Sequence, residues 1–210
     1  MNAKLAILFF LLTIAFAMPI LLGFRAVDDI QLPNLHTDYQ PEQPISYSHR
    51  LHAGVLNIDC QYCHTGADEG RHATIPNHQT CWNCHETIKG RTETAKAEIN
   101  KLLIAMQDRN KDGQPDGIAW KRVHNNADFV YFNHQSHVRI AKYIDADGQI
   151  TDGIDCEQCH GDMTTEGVAR QQEQMAMGFC INCHREQNER HVEANLPARA
   201  PVNSCDACHR

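Results

Sequence analysis

Every cysteine in the 210-residue chain falls inside one repeated five-residue pattern, and that pattern decides what the chain can fold around. The copies read CQYCH (Cys60, Cys63, His64), CWNCH (Cys81, Cys84, His85), CEQCH (Cys156, Cys159, His160), CINCH (Cys180, Cys183, His184) and CDACH (Cys205, Cys208, His209). Two intervening residues set the sulfurs about one helical turn apart on the same side of the backbone. C-x-x-C-H is the attachment signature of c-type haem. The two thiols add across the porphyrin vinyl groups as thioethers, and the histidine comes under the ring to give iron its proximal nitrogen. Disulfides, a zinc knuckle or a thioredoxin-like dithiol would also use paired cysteines. None of these demands a histidine directly after the second cysteine in every copy. Five covalent haems c are therefore expected.

Haem also answers a question of composition. The apolar share is 42%, but much of it lies in the first 24 residues, and aromatics make up only 7%. What remains is a thin supply for an ordinary core. The expected fold class is a multihaem cytochrome c, mostly α and irregular, with little regular secondary structure and a haem-filled core. A chain built this way should be largely unfolded before its cofactors are attached.

At the amino terminus, Leu5–Phe24 carries no charge and is flanked by Lys4 and Arg25. Its reach of about 30 Å at ~1.5 Å per residue matches a bilayer core, which predicts one N-terminal transmembrane helix. Ala15-Phe16-Ala17 offers a small-x-small cleavage site, so residues 1–24 read as a membrane anchor or a signal peptide. Either way the remainder is expected outside the cytoplasm: a single-pass protein of the bacterial inner membrane, held to lipid by that helix, with its haem domain on the periplasmic side. Residues 25–45 read as a linker and 46–210 as the pentahaem domain.

Within that domain two blocks repeat. YSHRLH, IDCQYCHTG and TCWNCHE are followed later by YFNHQSH, IDCEQCHG and FCINCHR. We read an internal duplication in which each half holds two haems, with the fifth motif added at the carboxy terminus. Between the blocks, Thr92–Gln107 is the clearest helix, with Ala95, Ile99, Leu102, Leu103 and Met106 on one face. Asp108, Asn110 and Asp112 begin like a calcium loop, but Ala119 stands where the bidentate acid belongs. A solvated turn competes with Ca2+ there, and the shorter Asp145-Ala-Asp147-Gly148 is weaker still.

Each iron needs a second axial ligand if it is to carry electrons without binding substrate. Histidines outside the motifs are His36, His49, His52, His72, His78, His124, His134, His137 and His191. His49/His52 and His134/His137 stand out because their aromatic-x-His-x-x-His context recurs. For the remaining iron the candidates are His124, Met177 and His72, whereas His36, His78 and His191 read as surface residues.

The aromatic-x-His-x-x-His ahead of C-x-x-C-H resembles class III multihaem cytochromes of sulfate reducers. That likeness implies that the first histidine ligates the haem of its own segment and the second reaches another. Taken over nearly the whole chain, ISYSHRLHAGVLNIDCQYCHTGAD, WKRVHNNADFVYFNHQSHV and MGFCINCHR resemble the pentahaem cytochrome subunit of bacterial alternative complex III. The resemblance implies an electron-transfer subunit, not an enzyme by itself. Its partners would be iron–sulfur and polytopic quinol-oxidising subunits on one side and a monohaem cytochrome c or terminal oxidase on the other. It also implies that mixed axial ligation can occur, which keeps Met177 in play. The formal charge of -7 suits a cationic docking partner better than nucleic acid. Two alternatives stand: a free-standing anchored quinol dehydrogenase of the tetrahaem type, and a multihaem reductase of nitrite type. The duplicated histidine pairs argue against the first, and five intact proximal histidines against the second.

Overall fold

The structure is a computed structural model describing residues 12–14, 18, 35–107 and 117–209. The expected N-terminal anchor and the Asp108, Asn110 and Asp112 loop thus lie outside the described residues, the former almost entirely. Among the described residues no helix is long and apolar enough to cross a membrane.

Short helical turns form where the motifs require two sulfurs on one side. The first motif occupies α1 (Cys60–Cys63), started by Asp59, whose side chain accepts from the Gln61 amide at 2.7 Å. The second lies in α2 (His78–His85), where Asn77 plays the same capping part for Thr80 at 3.0 Å. The amphipathic stretch forms α3 (Glu93–Gln107), one residue shorter than expected because the Thr92 hydroxyl accepts from the Ala95 amide as a cap. Leu102 on its apolar face is buried against the body, and α3 packs on α2. The third motif sits on α4 (Glu157–His160), the fourth on the first two turns of α5 (Met177–Glu193), and the fifth on a 3-10 turn, Cys205–Ala207.

Among the described residues the strand content is one antiparallel hairpin, β1 (Lys142–Ile144) with β2 (Ile150–Asp152), Tyr143 opposite Thr151. Its turn is Asp145-Ala-Asp147-Gly148. The Asp145 carboxylate accepts from the amides of Asp147 and Gln149 at 2.9 and 2.8 Å, so it caps its own turn. Helix α5 grips this hairpin. Gln187 accepts from the Ile144 amide and donates to the Ile144 carbonyl, both at 2.9 Å, in a buried two-point clamp. One residue on, Asn188 clamps the Ala200 backbone in the same manner, at 2.9 and 3.0 Å.

The stretch expected as a linker is tied to the body in its described part. Asp38 and Tyr39 exchange backbone bonds with Gln171 at 2.8 and 3.0 Å, and the Gln43 side chain brackets the Lys121 backbone with two bonds of 2.9 Å.

Apolar burial is slight. Among the described residues only Ala67, Leu102 and Ile144 are buried hydrophobics. The centre is instead a cavity of about 3370 Å³, several times the ~300–1,000 Å³ of an ordinary small-molecule pocket.

Candidate haem-binding site

All ten motif cysteines and all five motif histidines line that cavity. No thiol is paired in a disulfide. Among the described residues no three His, Cys, Asp or Glu side chains converge on a metal-sized point. Burial pushes the thiols of Cys156 and Cys159 up to about 11 and raises those of Cys63, Cys81, Cys180 and Cys183 as well. Raised thiols of this kind favour the protonated form, the opposite of a zinc-thiolate cluster.

Secondary influences on the same thiols reveal which motifs adjoin. After burial, Cys81 acts on Cys63, Cys60 on Cys156, Cys183 on Cys159, and Cys208 on Cys180. A hydrogen bond of 3.5 Å from Asn83 to the Tyr62 hydroxyl also links the second motif to the first. The second motif thus neighbours the first, the first the third, the third the fourth and the fourth the fifth, with Cys60 beside Cys156.

Three of the motif histidines are oriented by backbone oxygens. Nδ1 of His64 faces the Thr74 carbonyl at 2.7 Å, that of His85 the Ile88 carbonyl at 2.9 Å, and that of His184 the Pro201 carbonyl at 2.8 Å. A carbonyl can only accept, so each Nδ1 carries the proton and each Nε2 keeps a free lone pair. Histidines that bind metal through one nitrogen characteristically spend the other this way.

Three of the four histidines from the two repeated segments share this arrangement. His52, His134 and His137 donate Nδ1–H to the carbonyls of Ser48, Arg71 and Asn133 at 2.8 to 2.9 Å. Tyr47 stacks on His52 and meets His49 edge-on, with centroids at 4.5 and 4.9 Å. Phe132 does the same to His137 and His134, at 4.6 and 4.8 Å. Each segment then enters a π-helical turn, Arg50–Val55 and Ser136–Ile140, a form found mostly at functional positions. The sequence repeat is a repeat in space.

Each pair faces the motifs of its own half. Ring centroids are 6.1 Å apart for His52 and His85, 6.4 Å for His134 and His160, and 6.1 Å for His137 and His184. Two imidazoles on opposite sides of one metal, with bonds of about 2.0–2.1 Å, have centroids roughly 6 Å apart. Three observed spacings match that figure. His49 neighbours His64; burial, then the His64 and His52 imidazoles, hold it down to about 4. Its Nδ1 is buried without a hydrogen-bond partner.

The other candidates sit differently. His209 faces the Phe129 ring at 5.7 Å, and its backbone bridges to Val130. His124, a candidate for the remaining iron, has its ring 4.5 Å from that of His160 and perpendicular to it. That is too close for an iron to stand between them. Met177, 65% exposed, begins α5 on the cavity wall, and His72 is an exposed residue on the same wall. His191, read from sequence as a surface residue, is only 8% exposed, and its Nδ1 has no hydrogen-bond partner. Sequence gave no sign of this, because a histidine two turns beyond the fourth motif has no local pattern to mark it.

Porphyrins fit these residues. The cavity is large and mostly apolar, thiols open on it in pairs from helical turns, and three pairs of imidazole rings stand with centroids 6.1 to 6.4 Å apart. Fold and site together fit what several covalently attached porphyrins would need. No family model matches the chain. It is similar to the multiheme cytochrome c subunit of menaquinone reductase from Nitratidesulfovibrio vulgaris (strain Hildenborough), 24% identical over 186 residues that cover 81% of this chain and 78% of that protein.

Proposed function

We propose that this chain is a five-haem electron-relay subunit of a membrane-bound quinone oxidoreductase, of the alternative complex III type. The opposed histidine pairs carry the reading, since they close the irons they would hold against substrate and leave them free to pass electrons. In this reading His64, His85, His160, His184 and His209 are proximal ligands. His49, His52, His134 and His137 lie opposite the first four in that order. Met177 starts the helix that carries Cys180, the neighbour of Cys208, which favours it over His72 as the residue opposite His209. Bound haem would supply reversible one-electron transfer. The protein's contribution is to fix five sites in an unbroken spatial series, exclude water with the aromatic-histidine stacks, and set ligand basicity through the Nδ1–H donations.

An N-terminal membrane anchor, a periplasmic haem domain and iron–sulfur and polytopic partners belong to the same proposal. The relative's name favours a second version in which electrons enter through the cytochrome and leave to menaquinone. Purifying the native membrane complex tests both. Co-purified iron–sulfur and polytopic subunits with quinol-driven cytochrome c reduction support the first version. Reduction of menaquinone by reduced cytochrome supports the second, and an isolated chain with no quinone-linked partner contradicts both.

A further inference from the structure

His160 is oriented unlike the other motif histidines that have a hydrogen-bonded Nδ1. Those of His64, His85 and His184 meet main-chain carbonyls, whereas the Nδ1 of His160 meets a side chain, Nε2 of His124, at 3.4 Å with the rings perpendicular. If the Nε2 of His160 faces an iron held between it and His134, whose ring centroid is 6.4 Å away, its Nδ1 must carry the proton and donate. His124 then accepts through Nε2 and carries its own proton on Nδ1.

We propose that His124 is the positioning residue for the third motif: it accepts the Nδ1–H of His160, fixes that ring's tautomer and tilt, and sets the third haem's potential apart from its neighbours. The proposal rests on the haem reading above. Placement of His124 is itself supported. Gln43 brackets the backbone of Lys121, three residues earlier, and Arg122 bonds the Asn125 side chain at 3.0 Å across His124, so the segment is tied to the body before His124 and braced within itself. Such an acceptor raises the basicity of the ligating imidazole, which stabilises ferric over ferrous iron and lowers the potential. The site is also where the two halves join, because His160 follows Cys156 and Cys156 lies against Cys60.

Potentiometric titration and electron paramagnetic resonance on the mature holoprotein test this, using His124→Phe, which keeps the ring but removes the acceptor, and His124→Gln, which restores a carbonyl. In His124→Phe one haem's midpoint should rise while every iron that is low-spin in the wild type stays low-spin. His124→Gln should return the midpoint toward the wild-type value. A new high-spin signal in either variant would make His124 an axial ligand and overturn the proposal, as would an unchanged set of midpoints in His124→Phe. Should the phenylalanine variant fail to mature, the glutamine variant decides: unchanged low-spin irons support the proposal and a high-spin iron refutes it. Wild-type protein lacking covalent haem would instead overturn the underlying reading.

Discussion

A histidine nitrogen is worth as much to this protein for what it donates to as for what it could bind. Six imidazoles spend Nδ1–H on backbone carbonyls at 2.7 to 2.9 Å, leaving Nε2 directed elsewhere. Removing one member of a facing pair has a specific expected effect. His134→Ala should turn one haem high-spin, or force it to take an exogenous ligand, with the others unaltered; absorption and paramagnetic resonance spectra matching the wild type would refute that pairing. A second residue-scale expectation concerns Gln187. Its loss strands the amide and carbonyl of buried Ile144, so Gln187→Ala should cost about 1–3 kcal/mol. Thermal unfolding of the holoprotein measures it. Residue identity alone marked the ten cysteines and the two histidine pairs, because their chemistry is local. The contacts of His124 with His160 and of Gln187 with Ile144 join positions far apart in the chain, and no periodicity announces them.

Among the elements, close backbone approach replaces side-chain packing. The π-helical turn Arg50–Val55 lies on the turn Met163–Thr165 just beyond the third motif, and a Cβ on Gly54 would stand 2.4 Å from the Thr164 oxygen. At the end of β2, Gly153 has φ +86 and donates to the Ala141 carbonyl at 2.7 Å; a Cβ there would stand 1.8 Å from the Val138 oxygen. At Gly148, with φ +79, an added Cβ would meet nothing within 4 Å. The two glycines form a controlled comparison. Gly148→Ala should cost only the left-handed strain of about 1–2 kcal/mol, while Gly153→Ala should cost more and disturb the π-turn bearing His137. Equal losses in chemical denaturation would contradict this. Helix α3 was legible to within one residue, because an amphipathic helix carries its own period. The π-turns were not, since no residue type specifies them.

For the whole molecule the governing fact is a large cavity where a core would stand, with only three buried apolar side chains among the described residues. So little burial leaves the conformational entropy of folding unopposed. Material made without haem attachment should therefore show little fixed tertiary signal and no cooperative melting transition, measured by near-ultraviolet circular dichroism. A compact, cooperative apo-form would show that the peptide folds without porphyrin. The local repeat extends to the whole molecule. Stacked aromatic, paired histidines and π-turn recur together in both halves, which meet at Cys60 and Cys156.

Intact mass analysis of the mature chain, before and after treatment with a thiol-alkylating reagent, bears most directly on the account. Porphyrin bound through all ten sulfurs predicts five added haem masses and no alkylation. Fewer additions, or any cysteine that takes the reagent, would contradict it.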